Sequence, residues 1–95
     1  MFSVVPIDLS KIKKEDIDRE ILRVSIAAEM DATSLYEQLA NVTDNEDLKV
    51  VLLDIAQEEK THVGEFHTML LRLDEEQATE LEKGRNEVEE LTGKK

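Results

Sequence analysis

The sequence has no cysteine, no tryptophan, one proline and three glycines. Without cysteine there is no disulfide, no thiolate metal site and no iron–sulfur cluster. Pro6 is the only proline, so nothing downstream of it interrupts a long helix. Aromatic side chains are confined to Phe2, Tyr36 and Phe66. No run approaches the roughly 18 apolar residues of a membrane-spanning helix. The opening MFSVVPI is short and lacks the basic start of a secretory signal. The expectation is an intracellular, cytoplasmic chain with no membrane partner. Positive charge is scarce too: 12 basic residues stand against 23 acidic ones, a net charge of −11. Such a surface repels phosphate backbones, which argues against nucleic acid as a partner. It attracts cations, although a merely solvated helix surface explains the charge equally well.

What the sequence does have is helical periodicity. The expected organisation is one all-α domain over residues 1–95. Residues 1–12 read as an extended lead, because Pro6 pushes the residue before it out of the helical region. Helix one is expected over 14–41, with Ser10 or a point near Lys14 as its start. Ile17, Ile21, Val24 and Ala28 form one apolar lane, and Leu22, Ile26, Glu29, Ala32 and Tyr36 form the next. At about 1.5 Å per residue this helix is roughly 40 Å long, more than a compact domain of this size needs. Thr43 followed by Glu46 reads as a capping box. It predicts a tight turn, and helix two over 44–73 then returns antiparallel to helix one. Gly64 inside helix two suggests either a close backbone approach or a tolerated surface glycine. Asp74 with Gln77 suggests a third helix over 75–91, whose apolar lane of Ala78, Leu81, Val88 and Leu91 is thin. Such a helix is an arm for another subunit rather than a core element.

Three ionisable residues interrupt the apolar lanes. Glu59 and His62 are three apart and share one helix face. Glu29 lies on the matching lane of helix one, about 14 residues before the turn, with Glu59 about 16 after it. Both therefore sit ~21–24 Å along their helices. A lone histidine on an apolar face is usually a hydrogen-bonded core residue, and Glu-x-x-His alone arises by chance in acidic helices. The joint pattern is more specific, because unpaired buried charges are costly and a divalent metal neutralises them. A carboxylate-bridged di-iron centre takes a Glu from each of two helices and a Glu-x-x-His from each of two others. This chain supplies that set once. It reads as an antiparallel two-helix hairpin, half of a four-helix bundle that dimerisation completes, plus a short C-terminal helix. Tyr36 lies about two turns from Glu29 on the same lane, where it can bond a ligand carboxylate or serve as an ordinary core aromatic. Asp31, Glu58 and Glu65 read either as a cation approach path or as solvated surface charge. His67 reads as an exposed residue outside the site.

The run AAEMDATSLYEQLA…VLLDIAQEEKTHVGEFHTMLLRLD resembles the encapsulated ferritins, short ferritin-like proteins housed inside encapsulin nanocompartments. The resemblance covers residues 17–73 well and the third helix more loosely. It implies metal ligands at Glu29, Glu59 and His62, and the family's tyrosine at Tyr36. It implies a ferroxidase centre with two iron ions per dimer, dimers closing into an annular decamer, and an encapsulin shell protein as partner. An outer metal-binding site on helix one of some relatives falls here on Ala28, Asp31 and Leu35, of which only Asp31 keeps a carboxylate. No targeting tail of the family's kind is evident after Leu91; some relatives are fused to the shell protein instead. The expected function is oxidation of Fe²⁺ to Fe³⁺ for iron storage, with oxygen as oxidant. A rubrerythrin-like peroxide reductase with the same di-iron core is the second reading. A non-enzymatic acidic helical scaffold is the third.

Overall fold

Two long amphipathic helices form where the apolar lanes run, α1 over Ile17–Val42 and α2 over Glu46–Leu73. A shorter α3 spans Glu75–Thr92. The computed structural model describes residues 8–95. The expectations for Phe2 and for Val4-Val5-Pro6 lie outside the described residues. Ahead of α1 come two 3₁₀ turns, Leu9–Lys11 and Lys14–Asp16. The described end of the expected lead is therefore not extended, and α1 begins three residues later than expected. Ser10 does not cap a helix. Its backbone N–H and hydroxyl both donate to Asp8 Oδ1, at 3.1 and 2.6 Å. No strand occurs among the described residues, and no helix is long and apolar enough to cross a membrane.

The α1–α2 turn departs from the expected capping box. Thr43 ends α1, and its Oγ1 accepts from the Asn45 backbone N–H at 3.1 Å. Asn45 is the N-cap of α2, with its side-chain oxygen accepting from Leu48 N–H at 3.0 Å. Helix two thus starts at Glu46 rather than 44. Thr and Asn both cap helices; here Thr43 Oγ1 is taken by the Asn45 N–H, and Asn45 caps α2. Asp74 caps α3 as expected, accepting from Gln77 N–H at 3.0 Å. Gly93, in the left-handed conformation at φ 68°, ends α3 one residue beyond the expected boundary.

The hairpin core is small. Leu22 and Ala40 of α1 and Ala56 and Leu70 of α2 are buried, and no polar or charged residue is, among the described residues. The alanines leave room for two helices to lie close. A Cβ at Gly64 would meet no atom within 4 Å, so the close approach considered for it does not occur within one chain. The radius of gyration is 16.8 Å, against about 12–13 Å for a compact chain of this length. Accessible surface is 7442 Å², against roughly 5,600 Å² for a folded monomer of this mass. One copy leaves much of its apolar surface in water. Ile21, Leu39, Leu48, Val51, Met69 and Leu73 are all exposed.

α3 holds its own shape with little packing. None of its residues is buried. Lys83 pairs with Glu80 at 3.3 Å, and Arg85 pairs with Glu82 and, at 2.6 Å, with Glu89. Helical spacing of three and four residues brings these partners together.

Candidate metal centre

The antiparallel hairpin places Glu29 of α1 opposite Glu59 and His62 of α2. One ligand atom from each lies within 4.8 Å of the others. His62 Nδ1 is 3.3 Å from Glu29 Oε2 and 3.4 Å from Glu59 Oε2. The matching depth expected from the turn is therefore realised. The i,i+3 spacing puts Glu59 and His62 on one face, and the turn at 43–45 sets the register that delivers Glu29. Thr33 Oγ1 donates to the Glu29 carbonyl at 2.9 Å, one helical turn on.

The three side chains differ in exposure. Glu29 and Glu59 are 20% and 18% exposed, but His62 is 44% exposed. The carboxylates sit in the hairpin and the imidazole stands at its rim. The cluster therefore opens toward the face on which His62 stands. A fully enclosed site in one chain would cover all three.

That face has a pattern. Counting 100° per residue, Val51, Ile55, His62, Met69 and Leu73 share one stripe of α2. Ile21, Ala28, Ala32, Leu35 and Leu39 share one stripe of α1 beside Glu29. Ile21, Met69 and Leu73 line one groove, showing that the two stripes meet on one side of the hairpin. The exposed apolar residues flank the cluster on both sides. Ile21 and Leu39 lie about eight and ten residues either side of Glu29, and Val51 and Met69 lie about eight before Glu59 and seven after His62. The opposite side of the hairpin carries a second groove lined by Met30, Thr33, Ser34, Lys60 and Val63.

The remaining candidates do not join the cluster. Tyr36 is half-buried, and no hydrogen bond ties it to the site among the described residues. Asp31 is half-buried, and Glu58 and Glu65 are exposed. His67 is half-buried rather than exposed, and lies outside the cluster. Lys60, next to Glu59, lies off the apolar lanes; it pairs with Glu37 at 2.9 Å and bridges the two helices beside the site. Only its neighbour relation to Glu59 pointed to it. Arg23 meets Asp74, 51 residues away, and nothing in the sequence connects the two.

Two carboxylates and an imidazole suit iron, whose ferrous form accepts nitrogen and whose ferric form favours charged oxygen. Three ligand atoms from one chain are half of what two bridged ions need.

The family model described as Rubrerythrin matches residues 20–93. A ferritin-like–encapsulin shell fusion protein of Pyrococcus furiosus is 51% identical over 98% of this chain and 28% of its own length. The encapsulin nanocompartment cargo protein EncC of Myxococcus xanthus is 41% identical over 80% of this chain and 55% of its own length. The chain thus spans about a quarter and about half of these two curated relatives. The crystal structure of the encapsulated ferritin domain from Pyrococcus furiosus superposes with a TM-score of 0.82. It is 49% identical, covering 98% of this chain and 97% of that one.

Proposed function

This chain belongs to the rubrerythrin family and, within it, to the encapsulated ferritins, and from that premise we propose that it is one half of an inter-subunit di-iron ferroxidase. The observation that carries the reading is the half-site. Glu29, Glu59 and His62 converge within 4.8 Å on a face with exposed apolar residues on both sides of them. A two-fold axis through the ligands brings each apolar flank of one copy onto the opposite flank of the next, as an isologous contact requires. The same operation brings both copies of each ligand to one place.

In this reading Glu59 of each copy bridges two ferrous ions, and both copies of Glu29 and His62 take the terminal positions. Iron is the substrate: two Fe²⁺ would each surrender one electron to one O₂, which with two protons from solvent leaves as hydrogen peroxide, and the iron leaves as Fe³⁺. The four carboxylates offset the added charge of the ferric product. His62 turns Nδ1 toward both carboxylates, so that nitrogen is the one that would face an ion held between them. Any proton on Nδ1 leaves when metal binds, so loading releases protons. The exposed residues outside this face, Met30, Val42, Val50 and Leu53, supply surface for further copies. That supports an assembly larger than a dimer, with the annular decamer as its expected form.

The two curated relatives are named as encapsulin-associated, one as a fusion to the shell and one as cargo. The proposed setting is accordingly the interior of an encapsulin nanocompartment in the cytoplasm, with the shell protein as partner and the ferric product passed to the enclosed volume. The test is native mass spectrometry with anaerobic Fe²⁺, followed by admission of oxygen. The proposal expects two iron ions per dimer and stoichiometric ferric product. One iron per monomer without dimerisation would refute the shared site. Faster turnover with hydrogen peroxide than with oxygen would replace the ferroxidase with the peroxide reductase. Assembly with no iron oxidation would leave the scaffold.

A further inference from the structure

We propose that Asp74, latched by Arg23, is the pivot that fixes the direction of α3 against the hairpin. Leu73 ends α2 and Glu75 begins α3, so one residue makes the whole junction. Its backbone, at φ −127° and ψ 89°, is the only non-helical geometry between the two helices. The angle of an arm about 27 Å long therefore depends on two dihedrals. Packing does little to hold them. Beyond Gln77 and Ala78, only Glu89 of α3 is even half-buried.

The Asp74 side chain supplies what packing does not. It is 10% exposed, and no charged residue is buried outright among the described residues. Oδ1 accepts from Gln77 N–H at 3.0 Å and Oδ2 faces Arg23 of α1 at 3.4 Å, while the backbone N–H donates to the Leu70 carbonyl at 2.9 Å. One carboxylate thus touches the start of α3 with one oxygen and α1 with the other. Arg23 is held in turn by Glu20, at 3.0 Å. Three helices meet at this one group. Rotation about the junction pulls Oδ1 from Gln77 or Oδ2 from Arg23.

The consequence for assembly rests on the oligomer proposed above. An arm that contacts other copies sets their relative angle, and closure of a ring requires one angle throughout. Arg23 and Asp74 then select the number of copies, although neither lies at the metal cluster. The ion pairs within α3 and its Gly93 cap do not involve the pivot, so changes at Arg23 or Asp74 leave them in place.

Two variants separate the latch from the cap. Arg23→Gln leaves Asp74 free to cap α3. Asp74→Asn keeps a good capping side chain and removes the charge. The full chain has no cysteine, so Gln38→Cys on α1 and Asn86→Cys on α3 take spin labels without background. Labelled chain diluted in unlabelled chain gives an intramolecular distance distribution by pulsed dipolar spectroscopy. Both variants are expected to widen that distribution at least twofold with helical circular dichroism unchanged, and Arg23→Lys to restore its width. Unchanged width in both variants overturns the proposal. The reading is intramolecular, so it holds whether or not rings form. In native mass spectra the same variants are expected to spread one assembly mass into several, while iron oxidation per dimer stays within twofold. A single assembly mass in wild type and both variants, with widened distances, overturns the role in copy number.

Discussion

If the ligand-bearing face is the dimer interface, removing apolar area from its two ends weakens the dimer without touching a ligand. Val51→Ser with Met69→Ser is the sharpest form of this test. The two residues flank His62 on one stripe of α2 and are 53% and 46% exposed in the single chain. Full burial of such a side chain contributes roughly 1.5–3 kcal/mol, so covering the exposed half contributes ~1 kcal/mol. The two-fold repeats both positions, which gives ~4 kcal/mol per dimer. At about 1.4 kcal/mol per factor of ten, the dimer dissociation constant rises roughly a thousandfold. Val50→Ser with Leu53→Ser is the matched control. Those residues are 66% and 47% exposed on the same helix, but they point away from His62 by helical angle. The control loses similar apolar area and is expected to leave the dimer constant within threefold. Sedimentation velocity over a concentration series, with anaerobic Fe²⁺ held constant, measures both. An unchanged constant in the first variant, or equal weakening in the control, refutes the placement of the interface.

Glu59→Ala is expected to abolish iron oxidation at matched protein concentration, because it removes both proposed bridges; a rate above half of wild type would remove Glu59 from the site. His62→Ala should fall less far, since water can occupy a terminal position, and the same oxidation assay ranks the two. Chelation at neutral pH and low salt is expected to shift the population to smaller species. Two copies of Glu29 and Glu59 crowd four carboxylates into one small volume, and their repulsion then goes uncompensated. A light-scattering mass unaffected by chelator would count against that coupling. On α3, the Arg85 hydrogen bond, and then its positive charge, hold the Glu82 carboxyl below the usual carboxylate range. A depressed value adds helix stability above the ordinary carboxylate pKa, and that contribution is lost as pH falls through the lowered one. Arg85→Gln should return the Glu82 carboxyl titration, followed by NMR, to the ordinary range; a midpoint that stays low would assign the shift to another group.

Local rules made much of this chain legible. Helical spacing alone puts Glu59 with His62, because a 3.6-residue period admits no other arrangement for an uninterrupted helix. The short turn at 43–45 sets the depth at which Glu29 meets them, so the cluster follows from counting. The Asp74 cap was readable for the same reason: the group it satisfies is three residues away. Where two local options competed, counting did not choose. Thr43 and Asn45 are both capping residues, and the observed turn uses both, one for the Asn45 N–H and one for α2.

Tertiary structure decided the rest. Which apolar residues stay exposed depends on where α2 covers α1, so Ile21 and Met69, which periodicity assigns to apolar lanes, are exposed while Ala40 and Ala56 are buried. Which imidazole nitrogen meets the carboxylates depends on a side-chain torsion that no spacing encodes. The Arg23–Asp74 contact crosses 51 residues, and the direction of α3 depends on the dihedrals of one residue between two helices. The sequence by itself determined which ionisable side chains lie at one depth, because regular helices convert residue number into distance. Only the packed chain decided which face they open to, because that depends on how two rigid cylinders are rotated against each other.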